Sequence, residues 1–205
     1  ADTRVDAGTG SGDEIVEDIL GPVNAATGSG NVTLTDIERE VTATTGSGDV
    51  VINGAGTGVK ATTGSGNIRG TNLKGGAVLQ TGSGDVSVEQ SALGDVRVGT
   101  GSGNVHVTGV KGRLTAETGS GDVLLEGAPQ GSWRLSAGSG DLRLKLPAGT
   151  GYELDAETSS GEIRVDAPMV MQGAVNRRRV RGTVGGGGAF ITAETGSGDI
   201  VVESR

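Results

Sequence analysis

The sequence predicts an all-β fold: a single-stranded parallel β-solenoid of about 18 residues per coil and about eleven coils, running as one domain over residues 1–205. Three observations predict it. A Thr-Gly-Ser-Gly-Asp/Asn-Val signature recurs at nearly constant intervals, apolar residues alternate on either side of it, and Gly is abundant (41 of 205 residues) while Trp, Tyr and Phe occur once each. That composition cannot supply a core of bulky side chains, so the core must be thin. Glycine at this level without periodicity would signal low complexity, but here Val, Ile, Leu and Ala fall at fixed positions, which signals order.

The equivalent signature positions are Thr9, Thr27, Thr45, Thr63, Thr81, Thr100, Thr118, Ala137, Thr158 and Thr195, separated by 18, 18, 18, 18, 19, 18, 19, 21 and 37 residues. The last gap is two periods plus one, which predicts a degenerate coil between Thr158 and Thr195. Apolar residues four and two positions before the Thr, as in Val41 and Ala43, alternate with period two and make the first strand of each coil. Apolar residues resume five and seven positions after it, as in Val50 and Ile52, with the opposite parity. The Gly-Ser-Gly step between them is therefore a corner that re-aims the chain. A third apolar position, at Ile19, Ile37, Ala55, Leu73, Val110 and Ala128, closes the coil. One unit cannot bury such a stripe alone, whereas parallel stacking at ~4.8 Å buries it continuously and gives a rod about 50 Å long. An antiparallel sandwich would also show frequent turns, but its turns have no reason to share one sequence.

Composition and charge exclude several functions. A formal net charge of −8 argues against nucleic-acid binding, which relies on excess Lys and Arg. The absence of Cys removes disulfides, thiolate metal sites and Cys nucleophiles, and no apolar run is long enough for a membrane helix. The repeated Gly-Ser-Gly-Asp lacks the Lys-Ser/Thr of a phosphate loop, and calcium-binding solenoids place an acidic turn every nine residues rather than every eighteen. No cofactor is expected.

The residue after the second Gly reads Asp13, Asn31, Asp49, Asn67, Asp85, Asn104, Asp122, Asp141, Glu162 and Asp199. Interposed Asn relieves carboxylate repulsion while keeping an acceptor for backbone N–H groups, so a structural corner is the better reading of this column. Only Asp122, Asp141 and Glu162 follow one another without an amide between them, which makes them the candidate cation site. Catalysis finds no constellation: His106 is the only His and lies on the outward parity, and the signature Ser residues have no His or Lys in register. Trp133 falls in an inward column, as core. The charges Asp13, Glu14, Glu17 and Asp18 read as protection of an open first edge, predicting a monomer or weak dimer. Arg177, Arg179 and Arg181, the only concentrated positive charge, are the candidate ligand-binding row for an anionic glycan or envelope polymer, or another protein. Pairing of these arginines with Glu157, Glu162 and Glu194 is the competing reading.

With these residues in view, the chain resembles the bacterial adhesin-type family of β-strand-repeat proteins, a domain of unknown function in envelope-associated and secreted proteins. The resemblance rests on the repeated Thr-Gly-Ser-Gly-Asp-Val, on Leu146-Pro147-Ala148-Gly149 leading to Ala156-Glu157-Thr158-Ser159-Ser160-Gly161-Glu162-Ile163, and on Arg177-Arg178-Arg179-Val180-Arg181-Gly182 followed by Gly185-Gly186-Gly187-Gly188. It implies a β-helix, an extracytoplasmic location and an adhesive role, and it carries over no catalytic residue. The expected function is a non-catalytic adhesin-like binding or scaffold protein of the bacterial envelope. The alternatives are a structural spacer or assembly element and, below it, a polysaccharide-acting β-helix enzyme.

Overall fold

The computed structural model describes residues 3–172 and 177–205. The fold is an all-β parallel solenoid, and no helix occurs among the described residues. Each turn lays one strand in each of two facing sheets, a first sheet of twelve strands and a second of ten. The first sheet takes the strand that leads into each signature, such as Val41–Ser47, and the second takes the strand that leaves it, such as Val50–Ala55. Successive turns pair in parallel with like over like: Val23 beside Val41 and Thr27 beside Thr45 on the first sheet, Val32 beside Val50 on the second.

The opposite parity of the two strands has the anticipated consequence. Val41 and Ala43 from one sheet meet Val50 and Ile52 from the other, all fully buried, while the residues between them face outward. Alanine columns on the first sheet bring the sheets close enough for Val, Ile and Leu on the second to fill the space. Ile37, Ala55, Leu73 and Val110 close the coil from the third position and are buried. Trp133 is 1% exposed, and its indole N–H donates to the Gly112 carbonyl at 3.0 Å. The core thus needs almost no aromatic residues because no point in it is far from backbone.

The expected eleven coils are corrected to about eight turns in sequence order. Beyond the eighth, formed by Trp133–Ser139 and Leu142–Leu146, the order changes. The strand pair Ala189–Ser197 and Ile200–Ser204 stacks next, and the earlier pair Tyr152–Ser160 and Ile163–Asp166 lies outside it. The expected degenerate coil does not occur among the described residues either. Arg179–Val184 pairs antiparallel with Tyr152–Ser160, and Met169–Met171 pairs antiparallel with Arg179–Val184. The physical reason is local: residues 167–188 contain no Gly-Ser-Gly corner, so the chain reverses there instead of turning into the next coil. Spacing counts residues and is blind to direction.

Candidate functional site

The signature is the first place to look for chemistry, and stacking consumes most of it. The Thr hydroxyl of each coil donates to the second Gly carbonyl of its stacked neighbour at 2.9–3.0 Å, from Thr27 to Gly12 through Thr195 to Gly140 and Thr158 to Gly198. Ala137 interrupts this ladder. The second Gly has positive φ, 151° at Gly66 and 144° at Gly84, and a Cβ there would collide with the carbonyl oxygen of the Gly below it. The acid or amide that follows offers Oδ1 to the backbone N–H of the equivalent residue in the next coil. These bonds run unbroken from Asp13 to Asn31 through to Asp199 and Glu162 at 2.7–2.9 Å. Asp and Asn serve equally, because only the oxygen is used.

The candidate cation site is altered by the change in stacking order. Asp122 Oδ1 accepts from the N–H of Asp141, and Asp141 Oδ1 accepts from Asp199, not Glu162. Asp199, placed next to Asp141 by the inserted strand pair, separates Glu162 from the other two. Glu162 is the last member of the ladder, and its carboxylate takes a hydrogen bond from Arg164 at 3.1 Å. A longer side chain is tolerated where no further coil needs its oxygen. No cluster of three or more His, Cys, Asp or Glu side chains suited to a metal occurs among the described residues.

The arginine row is divided. Arg179 and Arg181 project outward from the strand whose Val180 and Val184 are buried, whereas Arg177 precedes it in a turn and its carbonyl accepts from the N–H of Ile163 at 3.3 Å. Arg179 lies 3.4 Å from Glu157 and 3.7 Å from Asp155, and Arg181 lies 4.0 Å from Asp155. Of the three expected acid partners, the structure gives this row Glu157, and it adds Asp155, which faces Arg181 across the antiparallel pair. These are loose contacts of arginine side chains 55% exposed, worth about 0–1 kcal/mol each. Beside them a groove of about 440 Å³ is lined by Ser136, Glu157, Ser159 and Glu194 over Gly138 and Gly196. The register places Ser136 beside Glu194 and Glu194 beside Glu157, with Arg179 on the far side of Glu157. The result is one outward strip that runs from hydroxyl through two adjacent carboxylates to guanidinium.

Elsewhere the ionisable groups do structural work. Lys145 donates to Glu126 at 2.5 Å and holds that carboxyl below its usual range, with burial opposing. The Tyr152 hydroxyl is buried without a hydrogen-bond partner among the described residues, and burial pushes its phenol up. His106 is exposed in register between Ser87 and Leu124. Glu14, expected among the outward charges, is the exception. It turns inward in the column of Val32 and Val50 and is only 7% exposed. Its position five residues after Thr9 already marked that column in the sequence.

Among known proteins, the family profile described as Toastrack DUF4097 matches residues 39–203. No curated protein and no solved structure matches the chain. The strands of the first two turns lie before that span yet continue the same repeat in the same register.

Proposed function

The chain belongs to the Toastrack DUF4097 family, an uncharacterised family of repeat domains, and on that premise we propose that it is a non-catalytic binding or scaffold module of the bacterial cell envelope. It presents the strip at Arg179, Arg181 and Glu157 to an anionic envelope glycan. The observation that carries this reading is the looseness of the arginine pairs. Held at 3.4–4.0 Å by partly exposed acids, the two guanidiniums are positioned along one strand yet lack close bidentate partners. An incoming carboxylate or phosphate can supply those bonds and displace Asp155 and Glu157 at little cost. The hydroxyls of Ser136 and Ser159 in the adjoining groove suit sugar hydroxyls. A rigid stack adds preorganisation, since a ligand lying across it orders few protein groups.

A binding screen of the purified chain against acidic and neutral envelope polysaccharides tests the reading. Acidic polymer should bind in a salt-sensitive manner, and Arg179→Gln with Arg181→Gln should weaken binding about tenfold or more while leaving the melting temperature within a few degrees. Equal binding of neutral polymer, or unchanged binding by the double variant, would remove the arginines from the site.

A further inference from the structure

Turns two, three and four share a trough of about 490 Å³ where the strands of the second sheet end, several turns from the arginine strip. Its walls follow from the register. Ile37, Ala55 and Leu73 stack as the buried residues that close these coils. One residue before them stand Asp36, Gly54 and Asn72, all in the left-handed region with φ of 52°, 82° and 53°. One residue after them stand Glu38, Gly56 and Lys74, joined to the turn before by the same backbone bond. The backbone path is thus alike at all three turns, and only the side chains differ. The middle turn sends none outward: Gly54-Ala55-Gly56 is the floor, with Ala55 buried. A Cβ on Gly54 would come within 2.8 Å of Asp36 Oδ1, so that carboxylate leans over the floor into the space glycine leaves. Asp36 and Glu38 form one wall and Asn72 and Lys74 the other, two rungs or ~9.6 Å apart along the backbone. Opposite charges so placed are within reach of each other. Yet the side chains of Asp36, Glu38 and Lys74 have no hydrogen bond or ion pair among the described residues. Leu20, 53% exposed, adds an apolar rim beside Glu38.

We propose that this trough binds a free diamino acid. The charges on its walls fix the class: two carboxylates facing one ammonium are the complement of a ligand with two ammonium groups and one carboxylate. Lys74 and the Asn72 amide donate to the ligand carboxylate. The α-ammonium beside that carboxylate donates to Asp36, which already leans to the middle of the floor. The methylene stem runs over Gly56 against Leu20, and the terminal ammonium donates to Glu38. Exposed ion pairs are individually weak, so three of them set a dissociation constant of about 1 mM. The trough acts independently of the arginine strip, and Arg179→Gln with Arg181→Gln should leave its binding unchanged.

The probe is L-lysine, titrated at constant ionic strength into the 205-residue chain labelled with nitrogen-15, at about pH 6 where its amines are protonated. L-Lysinamide, which lacks the carboxylate, and Nε-acetyl-L-lysine, which lacks one ammonium, are the controls. L-Lysine should shift the amide signals of residues 36–38, 54–56 and 72–74, and both controls should bind at least fivefold more weakly. Lys74→Gln should weaken L-lysine at least fivefold and leave lysinamide unchanged, since only L-lysine has a carboxylate for Lys74 to hold; Glu38→Gln should weaken both. Both side chains are exposed, so either variant should melt within about 2 °C of the unaltered chain. The comparison of L-lysine with its controls on the unaltered chain decides the matter without any variant. Equal binding of L-lysine and lysinamide, no shift at about twenty times the expected dissociation constant, shifts confined to other residues, or displacement of L-lysine by equimolar magnesium or calcium would each overturn the proposal. Tighter binding after Lys74→Gln would overturn it too, by showing that Lys74 serves Glu38 instead of a ligand.

Discussion

At the scale of single residues, the repeat records what parallel stacking demands of each position. The signature Thr must be small, β-branched and able to donate at the edge of the core; the second Gly must lack a Cβ; the next residue must carry an oxygen on a short arm. The Ser between the glycines is asked for none of these, since it is exposed at every turn. Replacing Gly84 with Val forces a β-branched residue to φ 144° against the backbone of the turn below. It should cost about 3 kcal/mol or more, while Ser83→Ala should stay within about 0.5 kcal/mol. Urea melts of the two variants decide the matter, and similar losses would remove the corner assignment.

Between residue and molecule stand the ladders, which bind strands that are distant in sequence. Ala137 is 4% exposed and sits in register between Thr118 and Thr195, so the hydroxyl ladder misses one rung there. Ala137→Thr should restore the bond to the Gly121 carbonyl and stabilise the fold by about 0.5–1.5 kcal/mol, seen as a rise in the melting temperature. An unchanged or lowered temperature would show that the site lacks room. Such ladders were legible in the sequence because identical residues recur wherever identical neighbours stack, and the alternation at Val41, Ala43, Val50 and Ile52 fixed both faces of the core. The region after Thr158 was not legible. Val180 and Val184 announce a strand with inward residues, but nothing in a single strand states whether it runs parallel or antiparallel to its neighbour. Asp155 therefore escaped notice as the partner of Arg181, and Asp199 as the residue that separates Asp141 from Glu162.

At the scale of the whole molecule, the solenoid has unlike ends: an acidic first turn with both edge strands unpaired on one side, and on the other an antiparallel hairpin that extends the first sheet by two strands beyond Tyr152–Ser160. The strand pair of Ala189–Ser204 lies between the eighth turn and the pair of Tyr152–Asp166, contacting both sheets on either side. A chain lacking residues 187–205 should keep its first eight turns but lose protection of residues 152–184, so trypsin should cut at Arg177, Arg178, Arg179 and Arg181 at least tenfold faster. Equal resistance would mean that Tyr152–Ser160 docks on Trp133–Ser139 directly. The inserted pair also imposes an order in time. During synthesis the first eight turns can zip up one after another as they emerge, each on the edge left by the last. Residues 152–184 cannot join that procession; they wait, with apolar edges uncovered, until residue 204 has been delivered. The interval before delivery is when this chain is most exposed to aggregation and to holding factors.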